Sequence, residues 1–425
     1  MVDVNWINEN QALLDQRLRF HLTERLTGLK YLPQTWIQKR LKILNVPVLV
    51  QWDENYVQPF TSLHNPLTKV GYPVKNYIKN IHAFSLPLSI LSLQQLLTMK
   101  GIKKIYLDCK VKICLDIATP TTQAHLIWPQ DNQGEGATIA IIDTGIAPHP
   151  DIQSRIIAFH DFVNQKHEPY DDNGHGTHCA GCAAGDGSMS DGKYKGTAPK
   201  ALLVGVKVLG KFGEGYLSDV IAGIDWCIEH RQKYNIRVIS LSLGTESADS
   251  YQDDPVCQIV QKAWQNGIVV TAAAGNNGPN EKTISSPGID PTIITVGAVD
   301  TNRTLSREDD YVASFSSRGP TVDGYMKPDI VAPGSNIISL RSKGSYLDIT
   351  MIDNQVGSHY FSLSGTSMAT PMVAGIVSTL LTKNPELSPD KVKQILLNHA
   401  YALKDSNNAQ GKGLVDAFRS YQSLL

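Results

Sequence analysis

From residue 137 onward, short and almost wholly apolar runs recur along the chain: Ala137–Ile142, Leu202–Val208, Val238–Leu243, Ile268–Ala274 and Ile293–Val296. Stretches with helical spacing lie between them, over 217–233 and 255–266. Apolar strands that alternate with helices predict a parallel sheet buried on both faces, so this part is expected to be α/β. The N-terminal part reads differently. Residues 6–43 carry Leu, Ile, Trp and Phe at helical spacings among Arg, Gln and Glu, which predicts two amphipathic helices broken at Pro33. VPVLVQW (46–52) predicts a strand with Pro47 tolerated near its start. LPLSILSLQQLLTM (86–99) predicts a helix ended by Gly101, and Ile102–Val111 a returning strand. TPTTQAHLIWPQDNQGEG, from Thr119, reads as a linker. The expected organisation is a helical extension (1–45), a small α+β module (46–118) and an α/β domain (119–425).

Composition narrows the picture without deciding it. A chain of 425 residues with 42% hydrophobic and 19% charged residues is ordinary globular protein, long enough for two or three domains. Lys and Arg (39) almost cancel Asp and Glu (40), which gives no reason to expect a nucleic acid or an anionic membrane as partner. No apolar run approaches the length of a membrane span. The balance hides an asymmetry: residues 1–120 hold 15 basic and 8 acidic side chains, the remainder 24 and 32. Two parts of opposite sign attract each other, although drift of surface charge explains the counts equally well. The opening MVDVNWINENQALLDQ lacks the basic start and apolar core of a secretory signal. Six cysteines are too few for a disulfide scaffold, and the expectation is reduced thiols in the cytoplasm.

Three segments carry candidate chemistry. Asp143 ends the run ATIAIID and precedes Thr144-Gly145, at the C-terminal end of a buried strand, where open α/β sheets place their sites. Alone, it is an ordinary strand-ending acid. In DDNGHGTHCAGCAAG (171–185), small residues surround His175 and His178, and neutral histidine suits general-base work. His175, His178, Cys179 and Cys182 also include metal-ligand spacings, but zinc cysteines usually come as loop-joined pairs, and Cys179 and Cys182 read better as small core residues. In SLSGTSMATPMVAGIVSTLL (362–381), Gly365-Thr366-Ser367 opens a helix of small residues with Pro371 near its start. That places a hydroxyl and a backbone N–H at the positive end of a helix dipole, though a serine in a first turn is common.

Together these segments give an acid, a base and a nucleophile in the order Asp143, His175, Ser367. IAIIDTGIAPHPDI, NGHGTHCAG and SGTSMATPMVAG resemble the Asp, His and Ser signatures of the subtilisin-like serine proteases, and subtilisin has the same chain order. Further matches cover 119–425. VKVLGKFGEG resembles the cleft edge that pairs with substrate, including Gly213 and Gly215, and SLSLG resembles the opposite wall, Ser242, Leu243 and Gly244. TAAAGNNG resembles the oxyanion segment, which makes Asn276 the side-chain donor. The resemblance implies a subtilisin-like α/β fold, a parallel sheet flanked by helices, and a serine endopeptidase acting on polypeptides. Leu243, Ala273 and Ala274, with Ser285 near the base, suggest a broad or apolar preference at the residue before the scissile bond (P1).

IHAFSLPLSILSLQQLLTMKGIKKIYLDCKV (81–111) resembles the end of a subtilase propeptide, so the chain's own N-terminal module is an expected inhibitory partner, removed somewhere within 108–122. The whole pattern is similar to the signal-less intracellular bacterial subtilases. No cofactor is expected to be required and no metal ligand is assigned; calcium is possible, but GDGSMSDGKYKG offers Asp186 and Asp191, with Asp151 nearby, in no matching pattern. Two other readings compete. An α/β-hydrolase esterase would use Asp390 and His399 after Ser367, but 32 residues are too few for that fold's intervening strands. A non-enzymatic peptide-binding scaffold would keep the cleft and lack turnover.

Overall fold

The computed structural model describes residues 4–29, 34–53, 76–108, 110–113, 120–247, 249–302 and 304–425. They divide into two compact units, Met1–Lys110 with Tyr216–Ala222, and Val111–Gly215 with Gly223–Leu425.

The first unit is built on an antiparallel sheet in the order Asn76–Ile78, Ala83–Ser89, Asn45–Trp52, Ile102–Leu107. Leu18, Leu22 and Leu26 repeat every four residues on helix Gln16–Leu29 and are buried with Ile37, Leu41, Val46, Val48 and Phe84 in one apolar core. The helices of the first 45 residues therefore share their core with the sheet, and Pro33 lies outside the described residues. Asp15 joins the two layers: its Oδ1 accepts from Leu18 N–H (3.0 Å) and Leu107 N–H (2.9 Å). Asp108 accepts from the N–H and hydroxyl of Ser218 at 2.7 and 2.6 Å.

One expected helix is corrected. Residues 86–89 continue strand Ala83–Ser89, and the helix is only Ile90–Leu96. Phe84, Leu86 and Leu88 alternate into the core with period two, and Ser89 caps the helix by accepting from Ser92 N–H at 3.1 Å. The strand after Gly101 ends at Leu107. Much of the expected processing stretch, residues 109 and 114–119, lies outside the described residues.

The second unit holds the α/β sheet. Its order is Tyr311–Val312, Ile294–Asp300, Val269–Ala273, Ile236–Leu241, Thr138–Asp143, Leu202–Lys207, Ile156–Asp161, with Ile330–Pro333 also paired to Ile294–Asp300. All pairings are parallel except that of Tyr311–Val312. Thr138–Asp143 is central and wholly buried. Helices His175–Ala184 and Thr366–Lys383 pack against each other, and every residue of the first is buried. That packing needs small side chains: a Cβ on Gly375 would come within 2.7 Å of Ala183 O. No helix among the described residues is long and apolar enough to cross a membrane.

Candidate active site

Asp143 stands at the C-terminal end of the central strand, and His175 is the first residue of its helix. His175 Nδ1 lies 2.8 Å from Asp143 Oδ1 and 3.0 Å from Oδ2, and both side chains are completely buried. A web of donors fixes the pair. Thr144 Oγ1 accepts from Gly176 N–H (2.9 Å) and donates to Asp171 Oδ1 (2.9 Å). Asp171 also accepts from Gly174 N–H (2.8 Å) and from the N–H and hydroxyl of Thr177 (2.9 and 2.7 Å). Gly176 has to be glycine, since a Cβ there would collide with Gly145 O and crowd Asp143.

Ser367 is the second residue of helix Thr366–Lys383, whose N-cap is Gly365. Its hydroxyl donates to Ser242 O at 3.1 Å, and its carbonyl accepts from Ser242 Oγ at 2.6 Å. Cys179 Sγ lies 3.7 and 3.9 Å from the two ring nitrogens of His175 and 3.5 Å from Ser367 O, so it stands between the His175 ring and the Ser367 backbone. Burial, with Asp143 adding to it, pushes the Cys179 thiol well above its ordinary range and keeps it protonated. The thiol is therefore a packing group.

Asn276 faces the same helix end. Its Oδ1 accepts from Thr366 N–H (2.9 Å) and Thr366 Oγ1 (3.1 Å), which fixes the opposite edge of the amide as the donor edge. Beside it, Ser285 sits between Gly244 and Gly275. A Cβ on Gly244 would lie 3.0 Å from Ser285 Cβ, and one on Gly275 would collide with Ser285 Oγ. Leu243 and Ala274 are buried, and Ser285 N–H donates to Ala274 O at 2.9 Å. Gly244 and Gly275 therefore pack closely on Ser285 from two sides.

Two short strands, Leu243–Gly244 and Glu214–Tyr216, form the edges of a three-stranded sheet, and Lys110–Ile113 runs between them. Ile113 pairs with Leu243 and Lys112 with Gly244, antiparallel. Gly213, at φ +75°, shapes the turn into the second edge.

The other sequence candidates are engaged elsewhere. His178 Nε2 lies 3.0 Å from Phe361 O, and burial, reinforced by His175, pushes its pKa down to about 3. Asp390 accepts from Trp264 Nε1 at 2.8 Å, and His399 Nδ1 lies 2.8 Å from Ile395 O. Asp151, completely buried, accepts from Gly187 N–H, Ser188 Oγ, Met189 N–H and Tyr360 OH at 2.8–3.1 Å. Four donors occupy the carboxylate where a calcium ion would need oxygen ligands, so Asp151 and its loop do not fit that ion. Among the described residues, Asp143, His175 and Cys179 bring three potential metal-ligating atoms within 4.8 Å, but the thiol is protonated and the other two are bonded to each other.

Sequence reasoning missed Ser242 as a partner of Ser367, and Asp171, Thr144 and Lys207 as the frame of the pair. Lys207 is the one with a visible signal, a lysine in the apolar run LLVGVKV. Its Nζ, completely buried, donates to Thr144 O (2.6 Å), Asp172 Oδ1 (2.7 Å) and Leu209 O (2.8 Å).

Residues 134–413 match the profile of the subtilase family, peptidase S8. The chain belongs to the subtilases. It is a serine endopeptidase with a subtilisin-like fold. It is 45% identical to Serine protease AprX of Bacillus subtilis (strain 168), with 98% of each chain covered. Thermitase of Thermoactinomyces vulgaris is 36% identical over 68% of this chain and 90% of its own. Among solved structures, fervidolysin from Fervidobacterium pennivorans superposes with a TM-score of 0.70 at 23% identity, over 89% of this chain; the chain spans 61% of that protein's length.

His178 gives this subtilase a pH signature. In the unfolded chain its pKa returns to near 6.5, so below that pH the unfolded state binds more protons and stability falls as pH falls towards 3. The contribution lost between pH 7 and 4 is about 2–4 kcal/mol. Denaturant unfolding of the Ser367→Ala protein at the two pH values, with and without His178→Gln, is expected to show a shallower pH slope in the glutamine variant. An unchanged slope would contradict the assignment.

Proposed function

We propose that Asp143, His175, Ser367 and Asn276 carry out peptide-bond hydrolysis through an acyl-enzyme. The observation that carries this reading is the buried Asp143–His175 pair beside a serine hydroxyl at the start of a helix. Asp143 accepts the Nδ1–H of His175, which makes Nε2 the basic nitrogen. That nitrogen takes the proton of Ser367 Oγ as the oxygen attacks the scissile carbonyl, and later returns it to the leaving amine. Asp143 holds the ring in that tautomer and stabilises the imidazolium. The oxyanion is met by the Ser367 backbone N–H, unpaired by position in a first helical turn, and by the Asn276 amide.

The substrate is an extended polypeptide laid between 213–215 and 242–244, with its P1 side chain near Leu243, Ala274 and Ser285. The apolar Leu243 and Ala274 near Ser285 support a broad or apolar P1 preference. The antiparallel pairing of Lys112 and Ile113 with the same wall supports a zymogen whose N-terminal module blocks the cleft until it is cut away. The four described cysteines are buried free thiols, which fits work in the reducing cytoplasm.

Intact-mass measurement of purified wild type and Ser367→Ala tests the zymogen. Wild type is expected to lose about a quarter of its 46.6 kDa, by cleavage within 108–122, and the variant to stay whole. Wild type that stays whole while hydrolysing peptides would sink self-removal and leave the hydrolase reading intact.

A further inference from the structure

Asp310 carries a buried charge that its surroundings leave without a partner. It is 5% exposed, and among the described residues neither of its carboxylate oxygens accepts a hydrogen bond. A buried carboxylate without donors is costly, and a cationic partner relieves that cost. Burial, with Asp309 and Asp300 adding to it, pushes its pKa up to about 6, which still leaves it ionised at neutral pH. Asp310 lines a cavity of about 260 Å³ together with Arg307, Tyr401, Leu403 and Lys404.

The walls of that cavity are fixed. Next to Asp310, strand Tyr311–Val312 pairs with Ile294–Asp300, and Val312 N–H donates to Asp405 Oδ2 at 2.9 Å. Tyr401 and Leu414 exchange two backbone bonds of 2.8 Å, and Leu403 N–H donates to Gln410 Oε1 at 2.7 Å. The nearby cations are committed elsewhere. Arg307 gives Nε and Nη2 to Thr121 O (3.1 and 2.7 Å) and Nη1 to Asp416 Oδ2 (2.8 Å). Lys404 Nζ donates to Glu308 O at 3.3 Å.

The surroundings suit an ammonium group better than a metal ion. Asp309 accepts from Thr304 Oγ1 (3.0 Å) and Asp300 from Asn302 N–H (2.9 Å), and among the described residues no set of three metal-ligating atoms forms around Asp310. A calcium ion needs about six oxygens or more. An ammonium brings a single charge and its donors to the two free oxygens. Processing makes such a group close by. A cut within 108–122 that falls ahead of Thr121 leaves a new α-ammonium, and each residue ahead of Thr121 adds at most about 3.6 Å of reach. Arg307 links the two places, since it binds Thr121 O and lines the cavity of Asp310. We propose that the Asp310 cavity is a binding site for a primary ammonium group, filled in the processed enzyme by the chain's own new N-terminus. The proposal rests on the zymogen reading above. The pairing anchors the start of the processed chain on the loop 307–312 and supplies the charge that Asp310 lacks.

The test uses the whole chain, left to process itself, with acetylation of its amines at pH 7 followed by site-resolved mass spectrometry. Only the neutral amine reacts, so a paired α-ammonium is protected. In folded wild type the new α-amine is expected to react about tenfold more slowly, or slower still, than after unfolding in guanidinium. Asp310→Asn is expected to abolish that protection, and Asp309→Asn, at an exposed neighbour, to keep it. An α-amine as reactive folded as unfolded would overturn the proposal, as would equal protection in Asp310→Asn. Carbodiimide coupling of processed wild type reads the pair without any variant: an amide between the α-amine and Asp310 is expected, and an amide to another acid instead would overturn it. Intact mass keeps the two readings apart. A cut chain with a reactive α-amine overturns only the pairing, and a chain that stays whole overturns the zymogen with it.

Discussion

Ser367→Ala is expected to lower kcat for peptide hydrolysis by about 10⁶-fold, the loss typical when nucleophile and base act as one unit. His175→Ala is expected to cost about as much, and the double variant no more than either alone. The reason is geometric. His175 is fixed through Nδ1 on Asp143 and has one proton to accept, that of Ser367; without the hydroxyl, the base has nothing to activate. Asp143→Asn is expected to cost less, about 10⁴-fold, because the amide favours the wrong tautomer while the ring stays in place. A double variant clearly worse than both singles would show that His175 and Ser367 act independently. Single-turnover rates on one chromogenic peptide are sufficient, since the residual activity of each variant sits far below wild type. Cys179 offers no escape route in these variants: it is a protonated, fully buried thiol.

Asn276→Leu carries the second large effect, a fall in kcat of about 10²–10³-fold with KM little changed. The amide meets charge that develops only in the tetrahedral intermediate, so its removal leaves ground-state binding alone. Leucine also deprives Thr366 of its acceptor, which raises a structural alternative. Asn276→Asp separates the two. It keeps an oxygen for Thr366 but sets a carboxylate against the oxyanion, and is expected to lose at least as much kcat. Recovery of activity in the aspartate variant would mean that the bond to Thr366, and not the donor edge, is what matters.

Asp143, His175 and Ser367 were legible in the sequence because each needs a special neighbourhood that leaves a local mark. Gly176 must be bare where it passes Gly145 O, and Ser367 needs a helix start. The α/β sheet was legible for a similar reason, since strands buried on both faces read as unbroken apolar runs. Residues 86–89 misled because Leu86 stands four and seven residues before Ile90 and Leu93, a helical spacing, while it also alternates with Phe84 and Leu88 as a strand, and the helix begins only after the Ser89 hydroxyl accepts from Ser92 N–H. The frame of the site was illegible. Lys207 reaches Thr144 and Asp172, 63 and 35 positions away, and Ser242 meets Ser367 across 125. Contacts at those separations exist only once the sheet has formed. The 342–347 segment bears no motif at all, and its place against 171–173 comes from Tyr346 N–H on Asp172 O, Leu347 N–H on Asn173 O and the Ser342 hydroxyl on Asp171 O.

The central claim is that Ser367 is the nucleophile of this subtilase, and labelling by a fluorophosphonate probe, with the modified residue located by peptide mass spectrometry, tests it most directly. The account predicts a single adduct on Ser367 in wild type and none in Ser367→Ala or His175→Ala under the same conditions. An adduct on another serine, or equal labelling of the Ser367→Ala protein, would contradict it.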